Sequence, residues 1–171
     1  MQGRRVVELY AGLEAAGAPV WLDGGWGVDA LLKHETRAHS DLDVVVRQEQ
    51  LSALTTFLAG EGFAPHPLPP PRAWNFVLAN VAGELVDVHV VQIAEDGRGV
   101  YGPPADGVAY PADALLGSGE IEGVAVRCLS AEYQLESHTG YVPRAKDIAD
   151  VRRLAKAFGL QEPEAYQMLS S

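Results

Sequence analysis

Residues 20–46 leave the chain few ways to fold. Val20, Trp21 and Leu22 read as a short apolar strand, and Asp23-Gly24-Gly25 as a turn opening an apolar helix that ends near Leu32. After a polar connection a second strand carries Asp41-Leu42-Asp43-Val44-Val45-Val46. Strand side chains alternate, so Leu42, Val44 and Val46 bury one face while Asp41 and Asp43 share the other, their Cα atoms about 7 Å apart. Two like charges pointing the same way need an offset. The hard, oxygen-seeking ion Mg2+, held by one or two carboxylates together with substrate phosphates, would supply it. Gly24 and Gly25 let backbone pass close to a ligand, and the free N–H groups of a first helical turn favour an anion. Against this stands the plain alternative of two solvated aspartates at a strand end.

The flanking segments build a mixed fold. Val6, Val7, Tyr10 and Leu13 recur at helical spacing over 4–16, stopped by Gly17 and Pro19. Within the connection, His34 and His39 bracket a glutamate, but they stand five residues apart, where the zinc-protease helix needs four. A helix follows over 49–59. Five prolines between Pro65 and Pro71 exclude a central strand there and predict an extended rim loop. Strands are predicted over 74–79 and 84–91, the second placing Asp87 and His89 opposite Val86, Val88 and Val90. A strand so apolar belongs near the middle of a sheet, where a carboxylate costs several kcal/mol, about 2–7 for a neutral polar group and more for a charge, unless it is paired, hydrated or metal-bound. Asp87 is therefore a third candidate acid, with a solvent-edge position as the alternative. His89 is either a packed, hydrogen-bonded histidine or a substrate contact.

Residues 94–119 read as a long loop anchored by Tyr101 and Tyr110, and 120–128 as a hairpin turning at Gly123. Ser130 caps a helix, a second runs from Pro143 to Phe158 with Lys146 on its first turn, and a third starts at Pro163. The expectation is an α+β chain: a mixed sheet flanked by helices over residues 1–128, with a C-terminal helical segment over 129–171 packed on it.

Charge and cysteine content exclude several functions. With a formal net charge of −10, the chain lacks the clustered bases that bind a nucleic-acid polymer. A lone Cys128 rules out an internal disulfide or a thiolate metal cluster and fits a reducing cytoplasm. No segment reaches the roughly 20 apolar residues of a membrane span. Glu8 and Glu14 break up what could pass for a signal peptide. The acids concentrate between Glu84 and Glu136, against only Arg98 and Arg127. That segment is either a solvated face or an acidic cleft for a small cationic substrate.

Asp-Gly-Gly-Trp-Gly at 23–27, Asp29, Arg37, His39, Asp41-Leu42-Asp43, Val86-Asp87-Val88-His89, Arg127-Cys128 and His138-Thr139-Gly140-Tyr141 together resemble the small lincosamide nucleotidyltransferases. These belong to the superfamily that includes DNA polymerase β. The aminoglycoside 2''-nucleotidyltransferases share the paired-Asp strand, the third Asp, the Arg127-Cys128 segment and a lysine matching Lys146. The resemblance implies a nucleotidyltransferase core that moves AMP from ATP to a hydroxyl of a lincosamide antibiotic, releasing pyrophosphate, with an aminoglycoside as the alternative acceptor. Gly24 and Gly25 would hold the triphosphate, with Arg37, His39 and Lys146 at the phosphates. Asp41 and Asp43 would bind Mg2+, and Asp87 would be general base, further metal ligand or both. The implied partners are a nucleotide and a small-molecule antibiotic, in a cytoplasmic enzyme for which a homodimer stays open. The family more often has a small residue such as glycine where Lys33-His34 follows the helix, which leaves that helix end open.

Overall fold

The longest apolar alternation forms the centre of the sheet. In the computed structural model, which describes residues 1–103 and 108–168, β5 (Leu85–Ile93) lies between β2 (Asp41–Arg47), parallel to it, and β4 (Asn75–Ala79), antiparallel. Outside β2 runs β1 (Val20–Asp23), antiparallel, and outside β4 the two-residue β3 (Ala64–Pro65). The proline-rich stretch thus begins on a sheet edge, where a missing N–H costs no ladder bond.

Helices α1 (Gly3–Ala15), α2 (Gly24–Leu32) and α3 (Leu51–Gly60) fall where periodicity predicts them, a short 3-10 turn over Gln48–Gln50 taking up the expected start of α3. Val44, Val86 and Val88 are fully buried beneath them with Leu9, Leu54 and Leu58, in one core that reaches as far as Tyr166. On the opposite face of the sheet Trp21, Val45 and Val91 pack at one end with Tyr110, Leu115 and Leu129. At its other end the same face carries the carboxylates.

The predicted loop over 94–119 is corrected. After Ile93 the chain turns back as β6 (Gly99–Tyr101), which pairs with the end of β5 that β4 leaves uncovered, and β7 (Ala109–Tyr110) pairs with β6. Residues 104–107 of that stretch lie outside the described residues. The hairpin turning at Glu122 and Gly123 forms as expected but starts earlier: β8 (Ser118–Ile121) and β9 (Val124–Arg127) make a separate two-stranded sheet against α2. Cys128 is fully buried just beyond β9.

Ser130 caps α4 (Ala131–Ser137), its Oγ accepting from the Tyr133 N–H at 3.4 Å. Helix α5 (Ala145–Phe158) ends at Gly159 in the left-handed conformation, and α6 (Glu164–Gln167) follows Pro163. Both α4 and α5 pack on α2. Lys33 takes the left-handed C-cap of α2 with φ 60°, so the helix ends where predicted although no glycine is there. No helix among the described residues is long and apolar enough to cross a membrane.

Candidate active site

Strand register lines up three carboxylates. Asp23 at the end of β1 pairs with Asp43 on β2, and Asp43 with Asp87 on β5, so one row crosses three adjacent strands. Neighbouring residues in a row share a face, and this row lies at the polar end of the sheet. Asp41 is one step further along β2 on the same face, its Oδ1 accepting from Ser40 Oγ at 3.0 Å. The row needs the glycine turn beside it: Gly24 has φ +54°, and a Cβ there would overlap Asp43 Oδ2 and stand 2.9 Å from Asp43 Cγ. Asp23 also caps α2, its Oδ1 accepting from Gly24 N at 2.6 Å and from the buried Gln134 Nε2 at 3.2 Å.

Crowding changes the acid chemistry. Burial, then the charges of Asp23, Asp41 and Asp87, push the Asp43 carboxyl up to about 7, against a smaller opposing pull from His89. For His89 burial works to lower the pKa, but the contact with Asp87 and the charges of Asp23 and Asp43 outweigh it and the net direction is up. Its Nδ1 is 2.8 Å from Tyr110 Oη and its Nε2 3.6 Å from Asp87 Oδ1. One ligand atom from each of Asp43, Asp87 and His89 lies within 4.8 Å of the others. A cluster of oxygens short of counter-charge fits a hard divalent cation.

A cleft of about 330 Å³ opens over this row. Its lining includes the Gly24–Gly25 turn, the basic side chains Arg37, His39, Arg144 and Lys146, and the rings of His89, Tyr110, Tyr133 and Tyr141. Of the residues singled out in the sequence, Gly24, Gly25, Arg37, His39, Asp41, Asp43 and Lys146 all line it. Asp87 lies beside the cleft and not in its lining; 27% of its side chain is exposed, and its Oδ1 accepts from Asn75 Nδ2 at 2.7 Å. Arg37 is held by Asp150 of α5, through Nη2 at 2.8 Å and Nε at 3.1 Å. His39 is held by Asp29 of α2, Nε2 to Oδ2 at 2.5 Å, and stacks at a tilt on Trp26 with ring centroids 4.5 Å apart.

Sequence reading overlooked Asp23, Tyr133, Arg144 and Asp150 as parts of this region. Asp23 alone left a signal: it follows Trp21 with the same parity that links Asp43 to Asp41, so pairing of the two strands puts all of them on one face. The acidic stretch from Glu84 to Glu136 does not form the cleft. None of its described acids lines the cleft, Asp87 lying beside it; Glu84 pairs with Arg5, and Glu120 and Glu122 line a separate hollow beside Trp26. That segment gives the cleft His89, Tyr110 and Tyr133 instead.

Known proteins resemble this chain in sequence and fold. The family profile described as aminoglycoside-2''-adenylyltransferase matches residues 5–154. A lincosamide resistance protein of Staphylococcus haemolyticus is 26% identical over 136 residues, covering 78% of this chain and 82% of that protein. A 2''-aminoglycoside nucleotidyltransferase of Klebsiella pneumoniae is 28% identical over 128 residues, covering 73% of this chain and 66% of that protein. Among solved structures, the lincosamide antibiotic adenylyltransferase LnuA with lincomycin bound superposes with a TM-score of 0.75 at 25% identity, over 88% of this chain and 94% of that one.

Proposed function

Because the chain belongs to the aminoglycoside-2''-adenylyltransferase family, we propose that it transfers AMP from Mg2+-bound ATP to a hydroxyl of a lincosamide antibiotic, releasing pyrophosphate and inactivating the drug. The observation that carries this reading is the make-up of the cleft. A glycine turn, Arg37, His39 and Lys146 line it together with His89, Tyr110 and Tyr133, beside the carboxylate row.

Adenylyl transfer is an in-line displacement: the acceptor oxygen bonds to the α-phosphorus as the bond to pyrophosphate breaks. Catalysis therefore rests on positioning and charge neutralisation. The Gly24–Gly25 turn packs its backbone against Asp43, His39 and Arg37 at the cleft, where the triphosphate would lie, and Arg37 and Lys146 meet its charge. Asp41 and Asp43 would hold Mg2+, with Asp87 close enough to Asp43 to join the ligand set. When bound, the ion offsets phosphate charge at the reacting centre. Asp87 takes the proton from the acceptor hydroxyl. Asn75 and His89 both engage its Oδ1, which leaves Oδ2 for that role. Tyr110 fixes the His89 ring beside it.

The tyrosines in the lining favour a lincosamide over a polycationic aminoglycoside. The family profile and the Klebsiella relative favour the aminoglycoside, which stands as the second reading. Pyrophosphate release from ATP and Mg2+ separates the two. The proposal expects release with lincomycin and little with aminoglycosides, and the reverse ranking would replace it with the second reading.

A further inference from the structure

Asp150 is almost wholly buried, with 1% of its side chain exposed, and it does not itself line the cleft. A buried ion pair adds little net stability compared with apolar packing of the same volume. A carboxylate in such a place therefore needs a reason beyond holding the fold together. Its partner supplies one. Arg37 donates from Nε at 3.1 Å and from Nη2 at 2.8 Å to Asp150 Oδ2, with Nε also 3.4 Å from Oδ1, a fork that pins this edge of the guanidinium. Arg153 adds a weaker contact at 3.4 Å from the solvent side.

Held this way, the guanidinium lies against the glycine turn: a Cβ built on Gly25 would stand 2.7 Å from Arg37 Nη2. The fork takes one N–H from Nε and one from Nη2, and Ala38 O takes one from Nη1 at 3.3 Å. Of five N–H donors, one on each terminal nitrogen is left. The same ion pair ties the connection between α2 and β2 to α5, whose first turn carries Lys146 on the cleft.

We propose that Asp150 is a positioning residue for nucleotide binding: it holds the Arg37 fork over the Gly25 turn so that two donors already face the polyphosphate of an incoming nucleoside triphosphate. This rests on the nucleotide-transfer reading above. An arginine oriented in advance loses less freedom on meeting a phosphate than one recruited from solvent, so the gain appears in nucleotide affinity and not in the acceptor's KM.

Calorimetric titration of Mg2+-ATP, and of Mg2+-pyrophosphate as a probe lacking the nucleoside, into the full chain and its variants tests this. Asp150→Asn should weaken both by about tenfold to a hundredfold, the usual cost of losing a supporting partner behind a binding group, with the acceptor KM unchanged. Arg37→Gln should cost as much, and the double variant no more than Arg37→Gln alone. Wild-type affinity in Asp150→Asn, or losses that add in the double variant, would overturn the inference. Should Asp150→Asn fail to fold, Arg37→Lys keeps the charge and the buried acid but not the fork. It should lose affinity like Arg37→Gln, and wild-type binding would overturn the inference equally. A wild-type chain that does not bind Mg2+-ATP sinks the nucleotide-transfer reading itself, whereas binding unaffected by these variants sinks only the role of Asp150.

Discussion

Asp43 has Asp23 on one neighbouring strand and Asp87 on the other, with Gly24 packed against its carboxylate. Such a residue is placed for a ligand at the expense of the empty fold. Asp43→Asn removes one like charge, so the metal-free protein should melt at the same temperature or higher while transfer is abolished; near-normal turnover would defeat the metal assignment. Asp87 allows a sharper distinction. If it takes the acceptor proton, Asp87→Asn lowers the rate by about 10²-fold to 10⁴-fold with Mg2+-ATP affinity little changed. If it is chiefly a ligand, calorimetry of that variant will show nucleotide affinity falling along with the rate.

Among the elements, the end of α2 carries a removable strain. Lys33 adopts φ 60°, a conformation that costs a residue with a Cβ about 1 kcal/mol and costs glycine almost nothing. Lys33→Gly should therefore stabilise the protein by about that much, raising Tm by roughly 2–4 °C for a domain of this size. An unchanged or lower Tm would mean that Lys33 makes compensating contacts. Elements with a clear period were legible: α1, α2 and β5 fall where the apolar spacing puts them, and Ser130 and Gly159 mark helix ends as their chemistry predicts. β6 and β7 were not, because strands of three and two residues in a Gly- and Pro-rich stretch are too short to show alternation. The site was legible as residue types and not as an assembly. Asp41, Asp43 and Asp87 announce themselves by interrupting apolar strands. The Asp23 row depends on register across three strands, and the Arg37–Asp150 pair joins residues 113 apart, which no local pattern encodes.

At the scale of the whole molecule the carboxylate row links stability to pH and to ligand. Asp43, ordinarily near 3.8, is pushed to about 7, so between about pH 4 and 7 the native state keeps a proton that the unfolded chain has lost. The stability this contributes is complete below about pH 4 and is lost as pH rises toward 7. His89, also raised, loses its contribution in the same direction as pH climbs through its elevated pKa. The difference in Tm between metal-free wild type and Asp43→Asn should therefore widen to the wild type's disadvantage from pH 4 to 7. Stabilisation by Mg2+ with ATP should grow over the same interval, because binding requires the charged carboxylate. A difference that does not vary with pH would show that Asp43 titrates normally.

The central claim is that this cleft moves an adenylyl group onto a lincosamide, and the acceptor's mass tests it most directly. Lincomycin incubated with the protein, ATP and Mg2+ should gain the mass of one adenylyl group, and should gain nothing when Asp43→Asn replaces the wild type. Lincomycin recovered unmodified from the wild-type reaction, while an aminoglycoside in the same panel is adenylylated or no acceptor is, would contradict the account.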